Sequence, residues 1–268
     1  MVLAAGLMSS VVLCSDAVRD LGLHFTLRQE DPIDLDLKVV SNSQKGEPSL
    51  YEKRLNTTIG LLEHHSSGII EGIGFYGRSS TFFLTAPSHP VPDDELRTRA
   101  HFLFFSEIKE HVNLVEGTAR APAIPTTDPA SPPHLETWIS ATAARDLGVA
   151  IGDRFDLHPF WRDDMAPVQV TVVGFIEPRD PSEEYWFGGA SRLVVSTTRW
   201  PTFPLVIDEA DLLTAISPYL PSINGTFETY AFIDTNRVNS RNAELIKRDL
   251  LGLKSAIRTN LALSSVHS

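Results

Sequence analysis

Glu63, His64 and His65 stand in a row, and a carboxylate beside two imidazoles is a donor set for a divalent metal. Neighbouring residues on a helix point about 100° apart, so adjacent histidines rarely reach one ion. The pattern fits cationic groups at a helix C-terminus better. Asp93-Asp94-Glu95 and Asp163-Asp164 offer calcium-type oxygens, but neither has the spaced ligands of an EF-hand loop. Phe232-Ile233-Asp234-Thr235 approaches the aspartic-protease Asp-Thr-Gly; Asn236 replaces the glycine, and no second copy exists, so it reads as a strand end. Gly77-Arg78-Ser79-Ser80-Thr81 lacks the final glycine of a nucleophile elbow. The chain has no Gly-Lys-Ser/Thr phosphate loop and no HExxH. Its single cysteine, Cys14, excludes an intrachain disulfide and a thiolate zinc site. No catalytic residue, metal ligand or cofactor is therefore assigned. Tyr185, Trp186 and Phe187, with Trp161 and Phe160, could form an exposed patch for a partner or a lipid acyl chain. The alternative is that these rings close a β core.

Residues of this kind need elements to hold them, and the patterns are mostly short. An uncharged apolar run fills 2–14, too short to span a bilayer alone and without the basic residues that open a signal peptide. It reads as the outer end of a transmembrane helix or stalk over 1–26. Leu35, Leu37 and Val39 set a strand, and a polar turn is expected over 41–47. Tyr51, Leu55, Ile59 and Leu62 make one helical face after Pro48. Residues 69–76 and 79–86 suggest a hairpin around Gly77. HFLFF at 101–105 is a short buried element, and 121–133 is a Pro-rich loop.

The middle is the most patterned. Strands are expected at 135–140, 154–160, 168–178 and 192–197, with a short helix over 142–148 closed by Gly148. Gly174 inside its strand marks a bulge or a close backbone approach. Towards the end, Asp208 can cap a helix, 229–234 is a strand, and a final helix starts at Asn239 or Ser240 with Ile246, Leu250, Leu253 and Ile257 on one face. The expected class is α+β: one subdomain from 27–110 and 205–268, with a β-rich, barrel-like or sandwich-like subdomain over 111–204 inserted.

The 268 residues are 42% hydrophobic, enough for one large or two smaller cores. A net charge of -11 argues against nucleic acid as a partner and against an electrostatic grip on anionic lipid.

Residues 111–187 resemble the extracytoplasmic region of FtsX-like permeases, including the MacB-like periplasmic core. The matching pieces are Glu116-Gly117, Leu147-Gly148, Gly152-Asp153 and Val172-Val173-Gly174, in the family's order. Thr118-Ala119-Arg120-Ala121-Pro122 departs from the family's tighter "vGR-x-P" turn. The resemblance covers about 80 residues and implies a non-catalytic domain on the extracytoplasmic face of a cell membrane, tethered by a helix at each end. It implies porter-like and Sabre-like subdomains, the latter being the inserted one. The implied partners are a cytoplasmic ABC ATPase, a periplasmic or cell-wall protein, and a second copy in a homodimer. ATP hydrolysis would then drive substrate export or transmembrane signalling. A secreted hydrolase would instead show clustered titratable groups in a deep pocket. A solute- or glycan-binding module would show a concave cleft lined by aromatics.

Overall fold

The computed structural model describes residues 17–66, 68–91, 98–126, 128, 131–162, 164–187, 189–195, 200–261 and 264–267. The apolar run 2–14 with Cys14, the acidic triplet 93–95 and Asp163 lie outside these residues. In chain order come a helix over 17–27 (α1), α2 (Pro32–Leu35), β1 (Leu37–Lys45), α3 (Pro48–Ser66), β2 (Ile70–Ser79), β3 (Phe82–Thr85) and β4 (Arg99–Phe105). One turn, α4 (Ile108–His111), leads into β5 (Val112–Gly117), followed by β6 (His134–Ser140), α5 (Ala141–Leu147), β7 (Arg154–Pro159) and β8 (Val168–Pro178). Two 3-10 turns, Glu184–Trp186 and Ala190–Leu193, precede β9 (Thr202–Val206). Then α6 (Glu209–Asp211) passes through a π turn, Leu212–Ile216, into α7 (Ser217–Tyr219). β10 (Asn224–Ile233), α8 (Ala243–Asn260) and β11 (Ser264–His267) complete a mixed α+β fold. Among the described residues no helix is long and apolar enough to cross a membrane.

Contacts divide the chain into two compact units. The first takes the described residues up to Val40, Leu55–Gly74, and those from Thr229 onward. It holds β11 and the parts of β1, β10 and β2 within those bounds, strands that neighbour one another in the order β11-β1-β10-β2. The four-three-four spacing of α8 puts Leu250, Leu253 and Ile257 on one stripe, and Leu253 and Ile257 are fully buried with Leu37, Val39, Leu62 and Ala231. Each such side chain contributes about 1.5–3 kcal/mol by leaving water. Arg258 in the last turn of α8 offsets the partial negative charge there. Buried Asp36 accepts the Ile233 amide at 2.8 Å. On α1, Asp20 accepts the Ser240 amide at 2.7 Å, tying α1 to the turn before α8; the Ser240 hydroxyl, with that amide, lowers the carboxyl's pKa.

The second unit comprises Ser41–Arg54 and Phe75–Glu228. Its strand order, β4-β3-β7-β8-β6-β9, closes on itself because β9 also pairs with β4, in parallel. Six strands thus form a barrel, which leaves no free edge among them. Alternation along β8 places Val168, Val170, Val172 and Ile176 fully inside, with Leu135, Ile139 and Leu157 of the flanking strands also buried. β5 lies off the ring and pairs with the C-terminal half of β8. His101 on β4 is buried; desolvation, aided by the Arg78 charge, lowers its pKa to about 3, so the imidazole is neutral at physiological pH.

Several expectations change here. The second unit includes 75–110 and 205–228, which the sequence reading grouped with the chain ends, because β3, β4 and β9 pair into the barrel. Residues 41–45 continue β1 and do not turn; Gly46 at its end donates to the Ile223 carbonyl at 3.0 Å. The hairpin at Gly77 does not form, since β2 runs straight through it and pairs with β4, while β3 pairs with β4 and β7. Gly77 is instead the space that the Phe104 ring occupies. In the segment expected as a strand over 192–197, Arg192 and Leu193 end a 3-10 turn. The last helix begins at Ala243, after a turn in which Asn239 accepts the amides of Arg241 and Asn242 through its side chain.

Candidate functional site

The residues that carry the family resemblance meet in one module of the barrel unit. Ser140 caps α5 by accepting the Ala143 amide, and Gly148 closes it in the left-handed conformation at φ 68°. Leu147, the last helical residue, is half-buried. Gly152, at φ 92°, donates to the Val172 carbonyl at 2.8 Å, and Val172 returns a bond to the Asp153 carbonyl at 2.9 Å. The Asp153 carboxylate accepts the Ala150 amide at 2.9 Å and so pins the turn. Gly174 faces Trp138 and Leu114; a Cβ there would come within 2.8 Å of both side chains. Opposite it, Gly117 stands at φ 96°, where a Cβ would overlap the Val173 carbonyl. The register between β6 and β8 slips at Thr137/Trp138, a bulge beside Gly174.

Sequence reasoning missed the ionic centre beside this module. Arg120 follows Gly117 by three residues, and its side chain is only 1% exposed. Its guanidinium meets Asp208 at 2.6 Å and Asp211 at 3.0 Å, donates to the Glu136 carbonyl at 3.2 Å, and lies over Trp138 at 5.4 Å. Asp211 also accepts the Ala123 amide at 2.9 Å, and Glu136 accepts that of Ala121 at 2.6 Å. Trp138 donates to the Thr118 carbonyl at 2.9 Å. The start of the Pro-rich segment is thus held at Ala121 by Glu136 of β6 and at Ala123 by Asp211 of α6. In the sequence, Arg120-Ala121-Pro122 stood only as part of a loose turn after Gly117. Its partners lie about 90 residues away, where no local pattern reaches.

The aromatic residues proposed as a contact patch are mostly interior. Trp186 is fully buried and donates to the Asp180 carbonyl at 2.9 Å, and Phe187 is 9% exposed. Neither can meet a partner; they close the core because Phe105 packs edge-on to Trp186 at 5.4 Å. Tyr185 donates to the Ser106 carbonyl at 2.7 Å and stacks on His111, whose Nδ1 lies 2.8 Å from Glu183. Burial raises the Tyr185 pKa, so the phenol stays protonated. Trp161 packs on Phe82 at 5.3 Å, while Phe160 beside it is 58% exposed. His64 and His65 lie edge to face at the C-terminus of α3, and His65 rests against Gly252 of α8. Among the described residues no three His, Cys, Asp or Glu side chains are grouped to hold a metal.

No family model matches this chain, and no curated protein does. Solved structures are similar over most of their length. The periplasmic region of MacB from Actinobacillus actinomycetemcomitans aligns with a TM-score of 0.40 and 10% identity, over 88% of this chain and 89% of that one. A domain of a putative permease protein from Porphyromonas gingivalis aligns at 0.34 and 12%, over 87% and 86%. The extracellular domain of the noncanonic ABC-type transporter YknZ from Gram-positive bacteria aligns at 0.38 and 8%, over 87% and 100%.

Proposed function

We propose that this chain is the extracytoplasmic domain of an FtsX-like, MacB-like ABC transporter permease, and that it does mechanical rather than catalytic work. The observation that carries this reading is the convergence of Gly117, Leu147, Gly148, Gly152, Asp153 and Gly174. Residues that resemble the family in order also interlock, in one strand–helix–turn–strand module. A second feature supports it: α1 and the α8–β11 segment belong to the same unit, joined at Asp20 and Ser240. A displacement delivered through either segment acts on one packed body, and packed bodies shift as wholes instead of deforming continuously.

In this reading a cytoplasmic ATPase moves the membrane helices of the longer permease. The described domain passes that motion to an exported substrate or to a periplasmic or cell-wall protein, and a homodimer is the natural assembly. Location is tested first. Ile124 is 82% exposed, and Ile124→Cys in a Cys14→Ser background supplies one accessible thiol. A membrane-impermeant maleimide is expected to label it in intact cells. Labelling only after lysis contradicts the proposal.

A further inference from the structure

In the first unit a cavity of about 250 Å³ lies between the C-terminal turn of α3 and the first turns of α8. The geometry points to a binding site for a primary ammonium on a short alkyl stem, an assignment that does not rest on the permease reading. The helices come this close because Gly252 of α8 has no side chain: a Cβ there would stand 3.1 Å from the His65 ring. His64, His65 and Ser66 of α3 line one side, and Leu245, Ile246 and Asp249 of α8 the other. Ile69 and Asn242 also border it.

The polar lining calls for a cationic donor. It holds one carboxylate, Asp249, and no Lys or Arg. The partner of Asp249, Arg248, stands 3.6 Å away with a side chain 75% exposed, a weak surface pair. The last carbonyls of α3 lack intrahelical partners and form the negative end of a 19-residue helix. Ser66 is buried, and its hydroxyl has no hydrogen-bond partner among the described residues. An ammonium brings three donors to such a set and no acceptor. Asn242 is already engaged: its Nδ2 donates to the Arg237 carbonyl at 2.8 Å, and its Oδ1 accepts the Asn239 amide at 2.8 Å. Glu244 in the first turn of α8 offsets the positive helix end that would draw a carboxylate. Ser67, outside the described residues, is uncharged and leaves this balance as it stands.

The aliphatic lining supplies the place for a stem. Ile69 is buried, Ile246 half-buried and Leu245 exposed. Leu245 and Asp249 are four residues apart on α8, so an apolar side chain and the carboxylate are neighbours on one face. An alkyl chain laid along Leu245 delivers its ammonium to Asp249, as a lysine stem lies on apolar surface with its head group free. The volume is below the usual range of drug-sized sites and suits an ion of few heavy atoms.

The test is a titration of the purified chain at constant ionic strength, read from its imidazole proton resonances. Mildly alkaline pH keeps ordinary imidazoles neutral and alkylamines protonated. Pentylamine stands for a free amine and Nα-acetyl-lysine methylamide for a lysine side chain; the tighter of the two names the source. The His64 and His65 signals are expected to shift saturably with a Kd of roughly 1 mM, the scale for so few atoms. The signal of exposed His134, in the barrel unit, should stay in place. Valerate has a similar stem with the opposite charge, and methylamine the same charge without the stem. Each should bind at least about tenfold more weakly than pentylamine. Asp249→Asn should weaken pentylamine about tenfold; Asp146→Asn, exposed on α5 of the barrel unit, should leave it unchanged. The assignment is overturned if neither amine gives a saturable shift, if valerate or methylamine matches pentylamine, or if the two variants lose equally.

Discussion

Replacing Arg120 by alanine is expected to lower the unfolding free energy of the barrel unit by about 3–5 kcal/mol, the range for removing one partner of a buried ion pair. The substitution leaves Asp211, with a side chain only 5% exposed, as a buried charge without its cation. It also frees the Glu136 carbonyl that the guanidinium holds. With native stabilities of about 5–15 kcal/mol, such a loss consumes much of the reserve. For a domain of this size it corresponds to a fall in Tm of roughly 10 °C. Arg120→Lys should recover only part, since a point charge cannot reach Asp208 and Asp211 with separate fork nitrogens. Arg120→Met with Asp211→Leu should be closer to wild type than Arg120→Ala alone, because both charges are gone. Urea unfolding followed by tryptophan fluorescence reads all three. A loss below about 1 kcal/mol for Arg120→Ala would show that the centre is solvated and not a lock.

Gly117→Ala should cost about 3 kcal/mol, and Gly148→Ala about 1 kcal/mol. At Gly148 a Cβ meets nothing within 4 Å, so the penalty is the left-handed backbone alone. At Gly117 the same backbone problem, at φ 96°, comes with a collision. The new methyl overlaps the Val173 carbonyl and falls 2.7 Å from the Gly174 Cα. Backbone on both sides cannot rotate away as a side chain can, so β5 must part from β8 or the strain must be carried. Thermal unfolding of both variants separates the cases. Equal losses would mean that β5 and β8 are not held as closely as the strand register requires.

What could be read from the chain was what neighbours in sequence decide. The strand at 168–178 announced itself by alternation, and the ends of α5 by Ser140 and Gly148, because caps and pleats are local. The mixed α and β class was legible for the same reason. Polar Ser41–Lys45 looked like a turn, yet β1 extends through it with most of these residues turned to water, as one face of a sheet allows. Gly77 looked like a turn glycine and is a packing glycine, which only Phe104 of another strand reveals. Trp186 and Phe187 carried no pattern that tells a core ring from a surface ring. The Arg120–Asp211 pair was hidden for the plainest reason, since nothing near Arg120 in sequence says which distant acid it meets.

The measurement that bears most directly on the mechanical reading is a distance inside the membrane-embedded permease together with its ATPase. Spin labels at Leu21→Cys, 72% exposed on α1, and at Ile124→Cys report on the two units separately. Pulsed electron–electron resonance is then recorded without nucleotide and with ATP trapped by vanadate. The account predicts two different distance distributions, switched by the nucleotide. Identical distributions in both states would contradict it.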